Sequence, residues 1–127
     1  MDRARHVLVA EDDTAIRGLI TFLIQREGWT ADDVADGAEA LAKIQNNRYD
    51  AIVLDLMLPG LSGEEILAEV RRSLPSELCR VIVVTASPGF AKKLDTDGLA
   101  AVLIKPFDID HVVDALRRCP PRDDEGR

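Results

Sequence analysis

The chain reads as an α/β domain, with a doubly wound five-stranded parallel sheet of order 2-1-3-4-5 and helices on both faces. Three observations predict it. Short β-branched and aliphatic runs recur five times, separated by stretches whose apolar residues repeat at helical spacing. The inner runs, Ala51-Ile52-Val53-Leu54 and Val81-Ile82-Val83-Val84, are apolar without alternation, as in strands covered on both faces. The connections are short, which suits parallel strands joined by right-handed helical crossovers.

The first strand spans residues 6–10 and ends in Glu11-Asp12-Asp13. Ile16, Leu19, Ile20 and Leu23 then mark a helix over 14–27, with Gly28 placed to end it. Residues 30–35 make a weaker strand whose polar residues suit a sheet edge. Asp36 and Glu39 open a second helix in the manner of a capping box, and Asn46-Asn47 close it. The third strand covers 50–54. Ser62 and Glu65 form a second capping-box pattern, opening a helix through Ile66, Leu67, Val70 and Leu74 that Pro75 stops. A fourth strand is expected over 80–84, a short helix within 88–98, and a fifth strand over 101–104. Asp108 is placed to cap a last helix carrying Ile109, Val112, Val113 and Leu116, ended by Cys119-Pro120-Pro121. Residues 1–119 form the domain, and 120–127 read as a flexible charged tail.

A chain of 127 residues suits a single domain with its own core. A net charge of −7 disfavours nucleic-acid binding, which needs a basic surface. The few apolar residues before Glu11 are too short a run to read as a signal peptide, no run approaches membrane-spanning length, and Cys79 and Cys119 lack metal-ligand spacing. The expected setting is the cytoplasm, with reduced thiols and no membrane association.

The polar residues that end the apolar runs carry the chemistry. The first strand delivers Glu11 and Asp12, the third Asp55, the fourth Thr85 and the fifth Lys105. Each has a plain structural explanation alone, as a helix cap, a turn residue or a solvated lysine. In a parallel sheet all of them leave carboxyl ends, where ligands bind at the switch of strand order. Three carboxylates crowded there repel one another unless a cation intervenes. Mg²⁺ suits such a set together with waters and a phosphoryl group. A metal, an ammonium and a hydroxyl aimed at one volume suit phosphoryl transfer, with Asp55 as the nucleophile.

Val7-Leu8-Val9-Ala10-Glu11-Asp12-Asp13, Asp55-Leu56-Met57-Leu58-Pro59-Gly60-Leu61-Ser62-Gly63, Thr85-Ala86 and Lys105-Pro106-Phe107 together closely resemble the receiver domain of two-component response regulators. The resemblance covers roughly residues 5–118 and implies a flavodoxin-like fold. It implies that Asp55 accepts a phosphoryl group from a histidine kinase or histidine phosphotransfer protein, after which partner binding changes. It implies Mg²⁺ held by Asp12, Asp55 and the Met57 backbone carbonyl, with Glu11 assisting. Thr85, Lys105 and the backbones of Ala86 and Met57 would meet the phosphoryl oxygens, and Lys105-Pro106 would be a cis peptide. Apart from self-phosphorylation and autodephosphorylation at Asp55, the family implies no enzyme.

Two departures bear on the read-out. The family usually has Tyr or Phe three residues before the lysine; here Val102 stands there. The stretch from Thr85 to Lys105 is about two residues short of the family's usual span. The expected module is a stand-alone switch. The competing readings are a receiver cut from a larger regulator or hybrid kinase, an unphosphorylated pseudo-receiver, and a haloacid-dehalogenase-like aspartyl phosphatase. The last would carry an acid where Met57 stands.

Overall fold

The computed structural model describes residues 4–120 and 122. Five parallel strands, β1 (His6–Ala10), β2 (Thr30–Val34), β3 (Ala51–Asp55), β4 (Val81–Thr85) and β5 (Ala101–Ile104), lie in the order β2-β1-β3-β4-β5. The helices are α1 (Thr14–Arg26), α2 (Gly37–Asn46), α3 (Gly63–Ser73), α4 (Pro88–Lys93) and α5 (Ile109–Arg118). This is the expected architecture.

Alternation along the strands divides the core. Leu8, Ala10, Ile52, Leu54, Val81 and Val83 point to one face and pack with Ile44 of α2 and Ile66, Leu67 and Val70 of α3. Val7, Val9, Val53, Ile82 and Val84 point to the other and meet Ile20 and Ile24 of α1 and Val112 and Leu116 of α5. β3 and β4 are buried at every position, which is why their sequence does not alternate. β2 is the polar edge.

Local chemistry sets the helix ends. Gly28 has φ +83° and its amide bonds the Gln25 carbonyl, a left-handed stop after α1. Asp36 accepts the Glu39 amide at 2.8 Å, and the side-chain amides of Asn46 and Asn47 reach back to the Ala42 and Lys43 carbonyls. Ser62 and Glu65 form the full reciprocal box.

Three expectations need correction. β3 and β4 each lie one residue later than expected, and a 3₁₀ turn over Pro75–Arg80 precedes β4. Pro75 does end α3, but its fixed φ then seeds that turn, which absorbs Arg80. Asp108 occupies the position before α5 without a side-chain capping bond. The expected tail at 120–127 falls mostly outside the described residues. Its members Pro120 and Arg122 sit with the domain: the Pro120 carbonyl accepts from Arg80, and buried Arg122 pairs with Glu77.

Candidate functional site

The backbone ladder continues past the strand tips. The amide of Glu11 bonds the Val34 carbonyl at 3.1 Å, that of Leu56 the Val84 carbonyl at 3.1 Å, and that of Lys105 the Thr85 carbonyl at 2.8 Å. The polar residues that end the runs are therefore held by sheet geometry rather than by free loops. Gly63 lets α3 begin close against this edge: a Cβ there would lie 2.6 Å from the Asp55 carbonyl oxygen and from the Leu56 Cα.

Carboxylate oxygens of Glu11, Asp12 and Asp55 all lie within 4.8 Å of one another. Glu11 and Asp55 are buried and Asp12 is exposed. The Lys105 ammonium is 2.8 Å from Glu11 Oε1 and 3.2 Å from Asp55 Oδ2. Asp55 Oδ1 accepts the Met57 amide at 3.0 Å, and Glu11 Oε2 accepts the Asp13 amide at 3.0 Å. Thr85 is fully buried, and its hydroxyl oxygen accepts the Ser87 amide at 3.1 Å, which leaves its own proton to donate. Ala86 is exposed at the same edge, and the Met57 side chain is 57% exposed. The Lys105-Pro106 peptide is cis.

Burial pushes the Glu11 carboxyl above the ordinary glutamate range, against the pull of Lys105 and the Asp13 amide, and Asp55 adds to the rise. For Lys105, burial works against the charged form. Glu11 and Asp55 outweigh it and hold the ammonium above the ordinary lysine value. The site thus keeps three carboxylates together, with one ammonium paired to two of them. A second, divalent cation with a taste for oxygen would balance that charge, and the donor set fits Mg²⁺.

Of the residues expected at this edge, Glu11, Asp12, Asp55, Lys105 and the Met57 amide come together, and Thr85 and Ala86 stand at the carboxyl end of the neighbouring β4. Three contributors escaped the sequence reading. The Asp13 and Ser87 amides are backbone donors in loops, and no side-chain type announces them. Arg17 bonds the Glu11 and Asp12 carbonyls. Its signal was available: a cation early in a helix opposes the positive end of the helix dipole.

The family profile described as the response regulator receiver domain matches residues 7–117. The transcriptional regulatory protein TcrA of Mycobacterium tuberculosis is 38% identical over 113 residues, which cover 87% of this chain and 44% of that protein. The chain thus spans less than half the length of that regulator. Sporulation initiation phosphotransferase F of Bacillus subtilis is 33% identical over 117 residues, covering 91% of this chain and 93% of that one. The response regulator TrrA of Thermotoga maritima, solved in complex with Mg²⁺-BeF, superposes with a TM-score of 0.82 at 28% identity, over 91% of this chain and 99% of that one.

Proposed function

The chain belongs to the response regulator receiver domain family, and from that membership we propose that Asp55 accepts a phosphoryl group from a histidine kinase or histidine phosphotransfer protein. The observation that carries this reading is the under-neutralised edge, three clustered carboxylates of which two, Glu11 and Asp55, pair with the Lys105 ammonium. Glu11, Asp12 and Asp55, with the Met57 carbonyl, would hold Mg²⁺. Bound there, the ion would offset the carboxylate charge and draw electron density from the phosphoryl oxygens.

The chain's own groups do the rest. A carboxylate oxygen of Asp55 attacks phosphorus, an O–P bond forms, and the P–N bond to the donor imidazole breaks. Lys105, already against Asp55 Oδ2, meets the negative charge that arrives with the phosphoryl group. The Thr85 hydroxyl donates a hydrogen bond to a phosphoryl oxygen, and the Ala86 and Met57 amides add donors. The Met57 side chain has no acid to activate water, which favours a switch over a turnover phosphatase.

An apolar hollow beside Lys105, lined by Ile16, Leu19, Ala86, Pro106 and Phe107, suits the partner that carries the donor histidine. Residues 1–119 form this module, and it works in the cytoplasm. No helix among the described residues is long and apolar enough to cross a membrane.

The test is intact-mass measurement after incubation with acetyl phosphate and Mg²⁺. Wild type gains one phosphoryl group, whereas Asp55→Asn, and wild type in EDTA, gain none. Equal uptake by Asp55→Asn would overturn the assignment.

A further inference from the structure

Arg17 lies early in α1, where a cation is electrostatically out of place, yet its side chain is only 20% exposed. The side chain folds back toward the helix start, as helical side chains do. Its Nη1 lies 2.9 Å from the Glu11 carbonyl oxygen and 3.5 Å from that of Asp12. Its Nε lies 3.4 Å from Asp33 Oδ2, on the neighbouring strand β2. One guanidinium therefore spans the end of β1, the turn into α1 and the sheet edge.

The two acids of that turn are anchored differently. The Glu11 carboxylate has its own partners in Lys105 and the Asp13 amide. Among the described residues the Asp12 carboxylate has no hydrogen bond or ion pair, so its place is set by its backbone alone. Asp13 holds one side of that backbone by capping α1 through the Ile16 amide. Arg17 holds the other.

We propose that Arg17 is a positioning residue for the metal-binding turn, orienting Asp12 toward the Mg²⁺ site through the Glu11 and Asp12 carbonyls. The inference rests on the function proposed above. Its electrostatic sign sets it apart from a simple charge effect. Arg17 is a cation near a cation site, so deleting its charge should by Coulomb's law tighten Mg²⁺ binding. Loss of positioning weakens it. Lysine keeps the charge but not the planar fork that spans separate acceptors.

The experiment is calorimetric Mg²⁺ titration of wild type, Arg17→Ala and Arg17→Lys. The rate of phosphorylation by acetyl phosphate is measured as a function of Mg²⁺, and melting in EDTA checks folding. Both variants should lose about tenfold in Mg²⁺ affinity, in the range of outer-shell metal partners. Their half-saturating Mg²⁺ should rise to match, while the rate at saturating Mg²⁺ stays near wild type. If Arg17→Ala does not fold, Arg17→Lys alone decides. Binding as tight as wild type or tighter in the folded variants overturns the role of Arg17, as does a fall in the saturated rate at unchanged half-saturation. Failure of wild type to bind Mg²⁺ would instead bring down the proposed function, and this inference with it.

Discussion

At the amino end of the sheet, the Arg5 guanidinium closes α5 by donating to the Leu116, Cys119 and Arg117 carbonyls, with Trp29 stacked 5.4 Å below it. Arg80, which is buried, donates to the Asp50 and Pro120 carbonyls at 3.3 and 2.5 Å. Asp50 in turn accepts the His6 amide at 2.8 Å. At the carboxyl end, three carboxylates cluster, and the Lys105 ammonium pairs with two of them, Glu11 and Asp55. Both ends bury charge, and at the amino end Arg80 Nη1 meets carbonyl acceptors within the chain, although its Nε is buried without one. The carboxyl end is short of positive charge. A buried charge with its partners in place holds a fold together, whereas an excess of one sign calls for a ligand.

The sharpest way to break this contrast is to remove one cation from each end. Arg80→Met keeps the volume but leaves buried carbonyls without a donor. It should cost about 3 kcal/mol of stability, measured by urea unfolding, with Mg²⁺ affinity unchanged. Restoration of that stability by Mg²⁺ would show that the two ends are not independent.

Lys105→Ala should cost about 2 kcal/mol in EDTA, because Glu11 and Asp55 lose their shared cation. Saturating Mg²⁺ should recover most of it, and calorimetry should find Mg²⁺ affinity equal or higher. A large loss of affinity would place Lys105 among the groups that hold the metal. Trp29 lies at the other end of the sheet and should report neither titration.

The edge strand offers a smaller test, with a pH signature. The Tyr49 hydroxyl donates to Asp32 Oδ2 at 2.7 Å, and chiefly this bond holds the Asp32 carboxyl below its ordinary value of 3.8. A depressed carboxyl contributes stability above its unfolded value and loses it as pH falls through the folded one. Tyr49→Phe should therefore cost about 1 kcal/mol at most at pH 7, since Asp32 is partly solvated. The gap from wild type should close as pH drops below 3.8. Melting curves at pH 7 and pH 3 decide; a gap that stays constant would remove Asp32 from the account.

The smallest expected change is in the read-out. Val102 is half-buried against the α2 and α3 side of the core and is stiff at χ1, so it cannot swing a ring between two positions. α4 has no buried residue, and the turn after it is tied down by Arg71, which donates to the Asp95 and Asp97 carbonyls at 3.0 Å each. Hydrogen exchange on apo and beryllofluoride-bound protein should change mainly over 86–98, little at Val102 and not around Arg5 and Arg80. New protection centred on Val102, with 86–98 unaltered, would mean that the missing aromatic has no consequence.

The sequence by itself determined the sheet, its order and the edge where Glu11, Asp12, Asp55, Thr85 and Lys105 gather. Apolar runs without alternation require helices on both faces, and parallel strands then send every run-ending residue to one side. Those are nearest-neighbour patterns, readable one segment at a time. The 3₁₀ turn that takes in Arg80, the burial of Arg122 and the grip of Arg71 on the distant Asp95 and Asp97 carbonyls were decided only in the tertiary structure. A long guanidinium side chain carries no local signal of its acceptor, because that acceptor is a backbone carbonyl that any residue can supply. Asp108 shows the converse. Its type and place suit a helix cap, but its side chain makes no capping bond. Residue type states what a group can bond, and the folded chain decides which partner lies within reach.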